Sequence, residues 1–259
     1  MVIGAANKTC DFSDEELGQL LILCVMQLTN AEIKLIRSLS EKKYRDKLSL
    51  FVVEGEKMLG EALASGYEPV SIWRRDMIGD AAMARISSLS SPSPVLAVLR
   101  KKETLPDTAA PGLYLALDGV RDPGNMGTII RTADWFGVKA VFASPDSVEL
   151  YNPKVIQSTM GSLFRCNFAY TDIPGLCRNF RSGGREVYGT FLDGDDIYST
   201  PLSSDALIVM GNESHGISDA CAAGVSRRIL IPKAAGSAAE SLNVAVATAV
   251  CLSQFCRPK

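Results

Sequence analysis

Three turns in this chain carry polar and charged side chains where apolar runs end. The first is "LDGVRDPGNMGTIIR", residues 117–131. Pro123-Gly124 is a turn signal, and Asn125 is a good N-cap for the helix that its pattern predicts. A helix N-terminus offers unpaired N–H groups and positive potential to an anion. Arg131 lies about two helical turns further on. Its neighbours Ile130, Thr132 and Ala133 predict partial burial, so it either pairs with a carboxylate or orients an anionic or hydroxyl group. The second turn, "ALIVMGNESHGIS", spans 206–218. An apolar strand stops at Gly211, and Asn212 and Glu213 follow at its carboxyl end, where open α/β sheets place their ligands. Gly211 and Gly216 allow close approach of backbone to a ligand. The chain's single histidine, His215, has no nucleophile–carboxylate set around it, which makes it a loop residue rather than a general base. The third turn, "ILIPKAAGSAAESLNVAVATAV", spans 229–250. A strand ends near Pro232, a small-residue loop follows, and Ser241 or Glu240 is expected to open a final helix. That helix is apolar or small almost all round, so it should be buried on most sides.

These turns punctuate an alternation of strand-like and helix-like segments. Residues 30–45 read as a basic amphipathic helix and the turn after it, with apolar positions at Ile33, Ile36, Leu39 and Tyr44. Strands then fall near "SLFVVEG", "PVSIWRR" and "PVLAVLRK", with helices between them. The segment "ETLPDTAAPG" has the Pro/Ala/Gly composition of a linker. After it the alternation restarts with "LYLALD" and runs to the C-terminus. The fold class expected is therefore α/β, a smaller N-terminal α/β unit followed by a mostly parallel sheet with helices on both faces. The expected boundaries are an extension over 1–26, an N-terminal domain over 27–103, a linker over 104–112 and a C-terminal domain over 113–259.

The chain has 259 residues, is 47% hydrophobic and 22% charged, and has a formal net charge of -2. That composition supports a sizeable core, and the charge provides no global field toward nucleic acid. A local field is still available, because basic residues cluster at 34–47, 74–75 and 100–102. Lys34, Lys42, Lys43, Arg45 and Lys47 are the candidate phosphate contacts. Seven cysteines, with no CxxC and one histidine, argue against a zinc site or a disulfide framework and fit a reducing cytoplasm. No run of 18 apolar residues occurs. The apolar stretch before Met26 lacks the basic flank of a secretion signal. "MQLTNAEIKLI" reads as a natural start with Thr29 or Asn30 as helix cap, so residues 1–25 are expected to be dispensable. No GxGxxG follows the first strand of either unit and no GxxxxGK[ST] occurs, which disfavours an ordinary dinucleotide fold or P-loop NTPase.

Taken together and in this order, "DGVRDPGNMGTIIRTADWFG", "VMGNESHGIS" and "IPKAAGSAAESLNVAVATAV" resemble the three motifs of the SpoU/TrmH family of RNA 2'-O-ribose methyltransferases, within the SPOUT superfamily. The resemblance covers about 112–256. Residues 42–66 resemble the family's N-terminal substrate-binding domain, which is similar to ribosomal protein L30e. The resemblance implies a deep trefoil knot in the C-terminal domain and a homodimer with the cofactor site near its interface. It also implies S-adenosyl-L-methionine as methyl donor, with no metal, and tRNA or rRNA as substrate. By position, Gly211, Ile231 and Leu242 would supply backbone contacts to the cofactor. Asn125, Arg131, Glu213, Ser241 and Asn243 would form the catalytic cluster, with Arg131 facing the target ribose as base or as orienting group. Lys233 departs from the family pattern, standing where many members have an apolar residue. Two further readings remain open on the residues alone: a non-catalytic RNA-binding or ribosome-assembly protein of the same fold, and an α/β enzyme acting on a small nucleotide.

Overall fold

The computed structural model describes residues 28–104 and 106–257; the expectation for residues 1–26 lies outside them. Helix α1, Asn30–Ser38, opens with a capping box. The Thr29 hydroxyl accepts from the Glu32 N–H, and the Glu32 carboxylate accepts from the Thr29 N–H at 2.7 Å. The helix and turn expected over 30–45 are present, and a second helix, α2, begins within that span at Lys42–Leu48. Past the end of α1 the chain turns, and the Arg45 guanidinium holds that turn, its Nη1 donating to the Leu39 and Ser40 carbonyls at 2.8 Å each.

The N-terminal unit continues through β1 (Leu50–Glu54), α3 (Glu56–Ala64), β2 (Pro69–Arg74), the short α4 (Arg75–Ile78), α5 (Asp80–Ile86) and β3 (Val95–Arg100). Its three strands form an antiparallel sheet in the order β1-β3-β2. Because side chains alternate along a strand, central β3 feeds two cores. Leu96 and Val98 pack with Ile33, Ile36 and Met83, while Val95, Ala97 and Leu99 join a cluster on the other face.

The C-terminal unit runs β4 (Leu113–Leu117), α6 (Pro123–Trp135), β5 (Ala140–Ala143), α7 (Pro153–Thr159), a 3-10 turn (Ser162–Phe164), β6 (Phe168–Tyr170), α8 (Ile173–Ser182), β7 (Glu186–Asp196), β8 (Ala206–Met210), α9 (Asp219–Ala222), β9 (Arg227–Leu230) and α10 (Val244–Phe255). The six strands are all parallel, in the order β6-β5-β4-β8-β7-β9. Helices cover both faces. Leu115, Leu117, Ile208 and Met210 pack with residues of α6 and α10, and Tyr114, Ala116, Leu207 and Val209 pack with α8. This is the α/β sheet that the alternation predicts. The order reverses where β4 meets β8, so the loops leaving these two strands diverge and open a crevice at their carboxyl ends. On the α8 side, burial pushes the thiols of Cys177 and Cys221 up to about 11 and about 12; Cys251 in α10 is likewise raised, to about 12.

The two units share one core. Phe51, Val53 and Tyr67 of the first lie in the same buried cluster as Tyr151, Ile156 and Phe164 of the second. The Phe51 and Tyr151 ring centroids are 4.5 Å apart, and those of Tyr67 and Phe164 are 5.1 Å apart. A shared apolar core removes the hinge freedom that tethered domains ordinarily keep. Polar bonds pin the seam. Arg45 is only 2% exposed, and its Nε donates to Glu149 Oε2 at 2.8 Å. Lys101 joins the same cluster, bonded to Glu149 at 2.8 Å and Asp46 at 2.7 Å. Arg165 bridges Glu61 of α3 and Asp134 of α6. The expectation that Arg45 contacts RNA is therefore corrected: its charge is spent inside the protein, on a carboxylate far away in sequence. Truncation leaves Glu149 buried without its main partner. Arg45→Ala should lower unfolding free energy by about 3–5 kcal/mol, read from urea unfolding curves; a loss below about 1 kcal/mol, the level of a surface pair, would show that the seam does not depend on it.

Candidate functional site

The crevice is built by the loops after β4, β8 and β9. Asp122, not Asn125, caps α6: its carboxylate accepts the Asn125 N–H at 2.8 Å, and Pro123 occupies the first helical turn. The sequence signal was ambiguous because Asp and Asn both cap well. The consequence is functional, since the Asn125 amide is released from capping and projects across the crevice. Its Nδ2 donates to Glu213 Oε1 at 2.6 Å. The last helix also starts later than Ser241. Asn243 is its cap, with Oδ1 accepting from the Ala245 N–H at 2.9 Å and the Val246 N–H at 3.3 Å. Asn243 Nδ2 then donates to Asn125 Oδ1 at 2.9 Å.

These bonds form a directional chain. Because Oδ1 of Asn243 faces two backbone donors, its amide has one possible orientation, and Nδ2 must point at Asn125. Asn125 is then fixed in turn and must donate to Glu213. One residue from each of the three turns is thus placed by a single helix terminus. The second Glu213 oxygen has no protein hydrogen bond among the described residues, and Glu213 lines the cleft. Ser241 lines the cleft as well but makes none of these bonds.

The loop after β8 is held by residues whose roles were not read from the sequence. Asn212 and Gly216 exchange two backbone bonds of 2.9 Å. Asn212 Oδ1 accepts from the Ser214 and His215 N–H groups, and its Nδ2 donates to the Gly119 carbonyl at 2.6 Å. Asp118 accepts from the Ser218 N–H at 2.7 Å. A Cβ on Gly211 would stand 2.2 Å from the Gly216 carbonyl carbon, so this hairpin closes only over glycine. The β4 loop is braced by Ser144, which bonds the Gly119 N–H and Asp146. That bond and the Arg121 guanidinium hold the Asp146 carboxyl below its usual range.

A cleft of about 530 Å³ lies beside the chain of amides. Gly211, Ile231 and Leu242, the expected cofactor contacts, all line it, as do Glu213, Glu240 and Leu192. Leu192 and Leu242 are 75% and 50% exposed, an apolar surface open to a ligand. Lys233 reaches back across the third loop toward the Ala239 carbonyl. His215 sits exposed on the rim.

Arg131 does not join this group. It is exposed rather than half-buried, because helical periodicity turns Ile130 and Ala133 inward and Arg131 outward with Trp135, which is 84% exposed. It makes no ion pair or side-chain hydrogen bond among the described residues. Of the basic N-terminal candidates, Lys42 pairs with Asp46 and Lys43 with Glu41, while Lys34 and Lys47 are exposed.

The sheet, the three loops and the cleft define a parallel α/β domain that binds a ligand at its topological switch point. Residues 112–253 match the model of the SpoU rRNA Methylase family, and residues 30–81 match an MRM3-like substrate binding domain. The chain belongs to the SpoU rRNA methylase family. It is 31% identical over 237 residues to the 23S rRNA (guanosine(2553)-2'-O)-methyltransferase RlmP of Bacillus subtilis, covering 85% of this chain and 94% of that protein. A TrmH-family protein from Porphyromonas gingivalis superposes with a TM-score of 0.80 at 38% identity, over 89% of this chain and 98% of that one. An AdoMet-bound rRNA methyltransferase from Sinorhizobium meliloti also gives 0.80, at 29% identity over 89% and 96% of the two chains.

Asn243→Asp separates capping from orientation. A carboxylate caps a helix as well as an amide does, but it cannot donate to Asn125. Thermal stability should change by less than about 1 kcal/mol, while catalytic turnover falls by about 100-fold, the scale of losing one positioned hydrogen-bond donor. Unchanged turnover would show that the amide chain has no part in the reaction.

Proposed function

We propose that this protein is an S-adenosylmethionine-dependent RNA methyltransferase that modifies a ribose 2'-OH, with ribosomal RNA the favoured substrate. The observation that carries this reading is the meeting of Glu213, Asn125 and Asn243 beside a cleft at the sheet's switch point. The cleft fits the cofactor on its own chemistry. Leu242, Ile231 and Leu192 offer apolar surface for a flat heterocycle, the loop backbones offer hydrogen bonds, and Glu213 and Glu240 offer negative charge to a cationic ligand. When bound there, S-adenosylmethionine supplies an electrophilic methyl group on a sulfonium.

The protein's part is positioning and electrostatics. A ribose hydroxyl is a weak nucleophile until its proton is drawn away. The unbonded oxygen of Glu213 is available to accept that hydrogen bond, with Asn125 holding the carboxylate's other oxygen. Ser241 is placed on the cleft wall to steady the cofactor or the hydroxyl. A guanidinium offers five N–H donors and no acceptor, so Arg131 serves as an orienting group for hydroxyl and phosphate rather than as a base. No residue in this scheme requires a metal, and no cluster of metal-ligating side chains is found among the described residues.

The same reading includes a homodimer. A groove between α6 and α10 is lined by Thr128, Thr132, Tyr198, Val246 and Val250, and Tyr198 and Val246 are more than half exposed. A second copy seated there would cover this surface, and would explain why Arg131 faces away from its own cleft: it would serve the partner's. The reading also includes a knotted C-terminal domain over 113–259, a substrate domain over 27–103 joined by the 104–112 linker, and a cytoplasmic location alongside the RNA. No helix among the described residues is long and apolar enough to cross a membrane.

The direct test is methyl transfer from labelled S-adenosylmethionine to ribosomal RNA lacking the modification, with nucleosides separated by mass spectrometry. A 2'-O-methylated nucleoside is expected; a base-methylated product, or no transfer, would contradict the reading. Arg131→Ala should lose most turnover while cofactor affinity stays within about twofold. If Arg131 acts across the dimer, mixing Arg131→Ala with Glu213→Ala subunits should restore part of the activity that neither variant has alone. Near-normal turnover of Arg131→Ala would remove it from the site.

A further inference from the structure

A second cavity, of about 650 Å³, lies in the seam between the two units. One wall comes from α1, β1 and α3, the other from α7 and the turn after it. The half-buried Val52 and Met58 and the exposed Met160 are apolar residues of its lining, while Arg37, Lys57 and Gln157 supply polar groups at its exposed edge. Met160 is 50% exposed and adopts a left-handed backbone at φ 52°, a conformation that a non-glycine residue rarely takes. That conformation closes α7, with the Met160 N–H bonded to the Gln157 carbonyl at 3.2 Å, and it leaves the methionine side chain half exposed at the cavity.

The charges of the cavity are not balanced internally. Glu54, the carboxylate within it, is already occupied by the Ser87 and Ser88 hydroxyls and the Ser88 N–H. Arg37 uses only Nε, on the Arg85 carbonyl, and Lys57 makes no ion pair among the described residues. Two cations therefore keep donors facing outward beside an apolar floor. The position also matters. Gln157 is followed by Ser158, whose Cβ would be 2.3 Å from a Cβ on Gly127. Gly127 lies in α6 two residues after Asn125, so the wall of this cavity is packed directly against the helix that presents the catalytic amide.

We propose that this seam cavity is an RNA subsite: it takes an unstacked nucleotide of the same RNA at a distance from the target, with the base on Val52, Met58 and Met160 and the adjoining phosphate on Arg37 and Lys57. The inference rests on the reading of the chain as an RNA methyltransferase and adds where a second nucleotide of the RNA is held. Bases pulled from a stack bind to apolar faces that tolerate any base, and phosphates bind to cations beside them. Because the two walls belong to units that share a core, the cavity would hold that nucleotide at a fixed distance from Glu213. Arg37 lies in the basic cluster at 34–47, but Val52, Lys57, Met58 and Met160 were not singled out in the sequence for RNA contact, since they converge with it only through the packing of the two units.

The test uses the full chain and a randomised single-stranded decaribonucleotide carrying 4-thiouridine, without turnover. Irradiation should crosslink the peptides that contain Met58 or Met160. The Arg37→Gln/Lys57→Gln double variant should bind the oligonucleotide about tenfold more weakly. It should also lower the slope of log affinity against log salt by about 0.7 for each lost phosphate contact, with S-adenosylmethionine affinity unchanged. Met160→Gly, which relaxes the backbone at that position, should weaken RNA binding without lowering thermal stability. Wild-type affinity and salt slope in both variants, or crosslinks confined to other surfaces, would overturn the proposal while leaving the methyltransferase reading intact. Failure of that reading shows separately, as absence of cofactor binding and methyl transfer in the wild-type chain.

Discussion

The N-terminus of α10 is the constraint on which the site depends. Two backbone N–H groups there need an acceptor, and Asn243 provides it. That one satisfaction fixes an amide, which fixes the Asn125 amide, which fixes a carboxylate on a different loop. Three segments separated by up to 118 residues are thereby held in one geometry by side-chain hydrogen bonds. A polar chain of this kind is worth more than its separate bonds, because each member restricts the next. It also explains why two asparagines stand at these positions. A carboxylate accepts but does not donate, and a hydroxyl is too short to span the same gap.

The sheet makes that convergence possible. Strands β4 and β8 are neighbours although 88 residues separate Asn125 from Glu213. Their diverging loops leave a crevice that helices cannot fill. The close closure at Gly211 and Gly216 keeps the second loop folded back over the sheet edge, so Glu213 meets α6 instead of extending into solvent. On the far side of α6, Gly127 lets α7 approach, and α7 carries the seam to the N-terminal unit. The cleft and the N-terminal unit are therefore built on one continuous core rather than on two bodies joined by a tether.

The sequence made much of this legible for physical reasons. Parallel strands buried on both faces, such as "LYLAL" and "ALIVM", read as unbroken apolar runs, and turns with Gly, Pro and Asn mark their ends. The residues that meet in the cleft stood out because polar groups at strand ends have no packing reason to be there. What could not be read was partnership at long range. Asn125 and Asp122 are equivalent as caps until the helix start is known. Arg45 resembles its basic neighbours in every local respect, and only the fold brings Glu149 to it. The exposure of Arg131 depended on helical phase, and its apolar flanks concealed that. The seam cavity has no local signature at all, because its walls come from segments about a hundred residues apart.

The central claim is that the cleft beside the Asn243–Asn125–Glu213 chain is where the methyl donor is held. A crystal structure of the protein with S-adenosylmethionine tests it most directly. Cofactor density is expected between the loops at 211–217 and 231–242, against Ile231 and Leu242, with both asparagine bonds intact and the second Glu213 oxygen open toward the methyl group. Density elsewhere, or a bound state in which Asn125 has left Glu213, would contradict it.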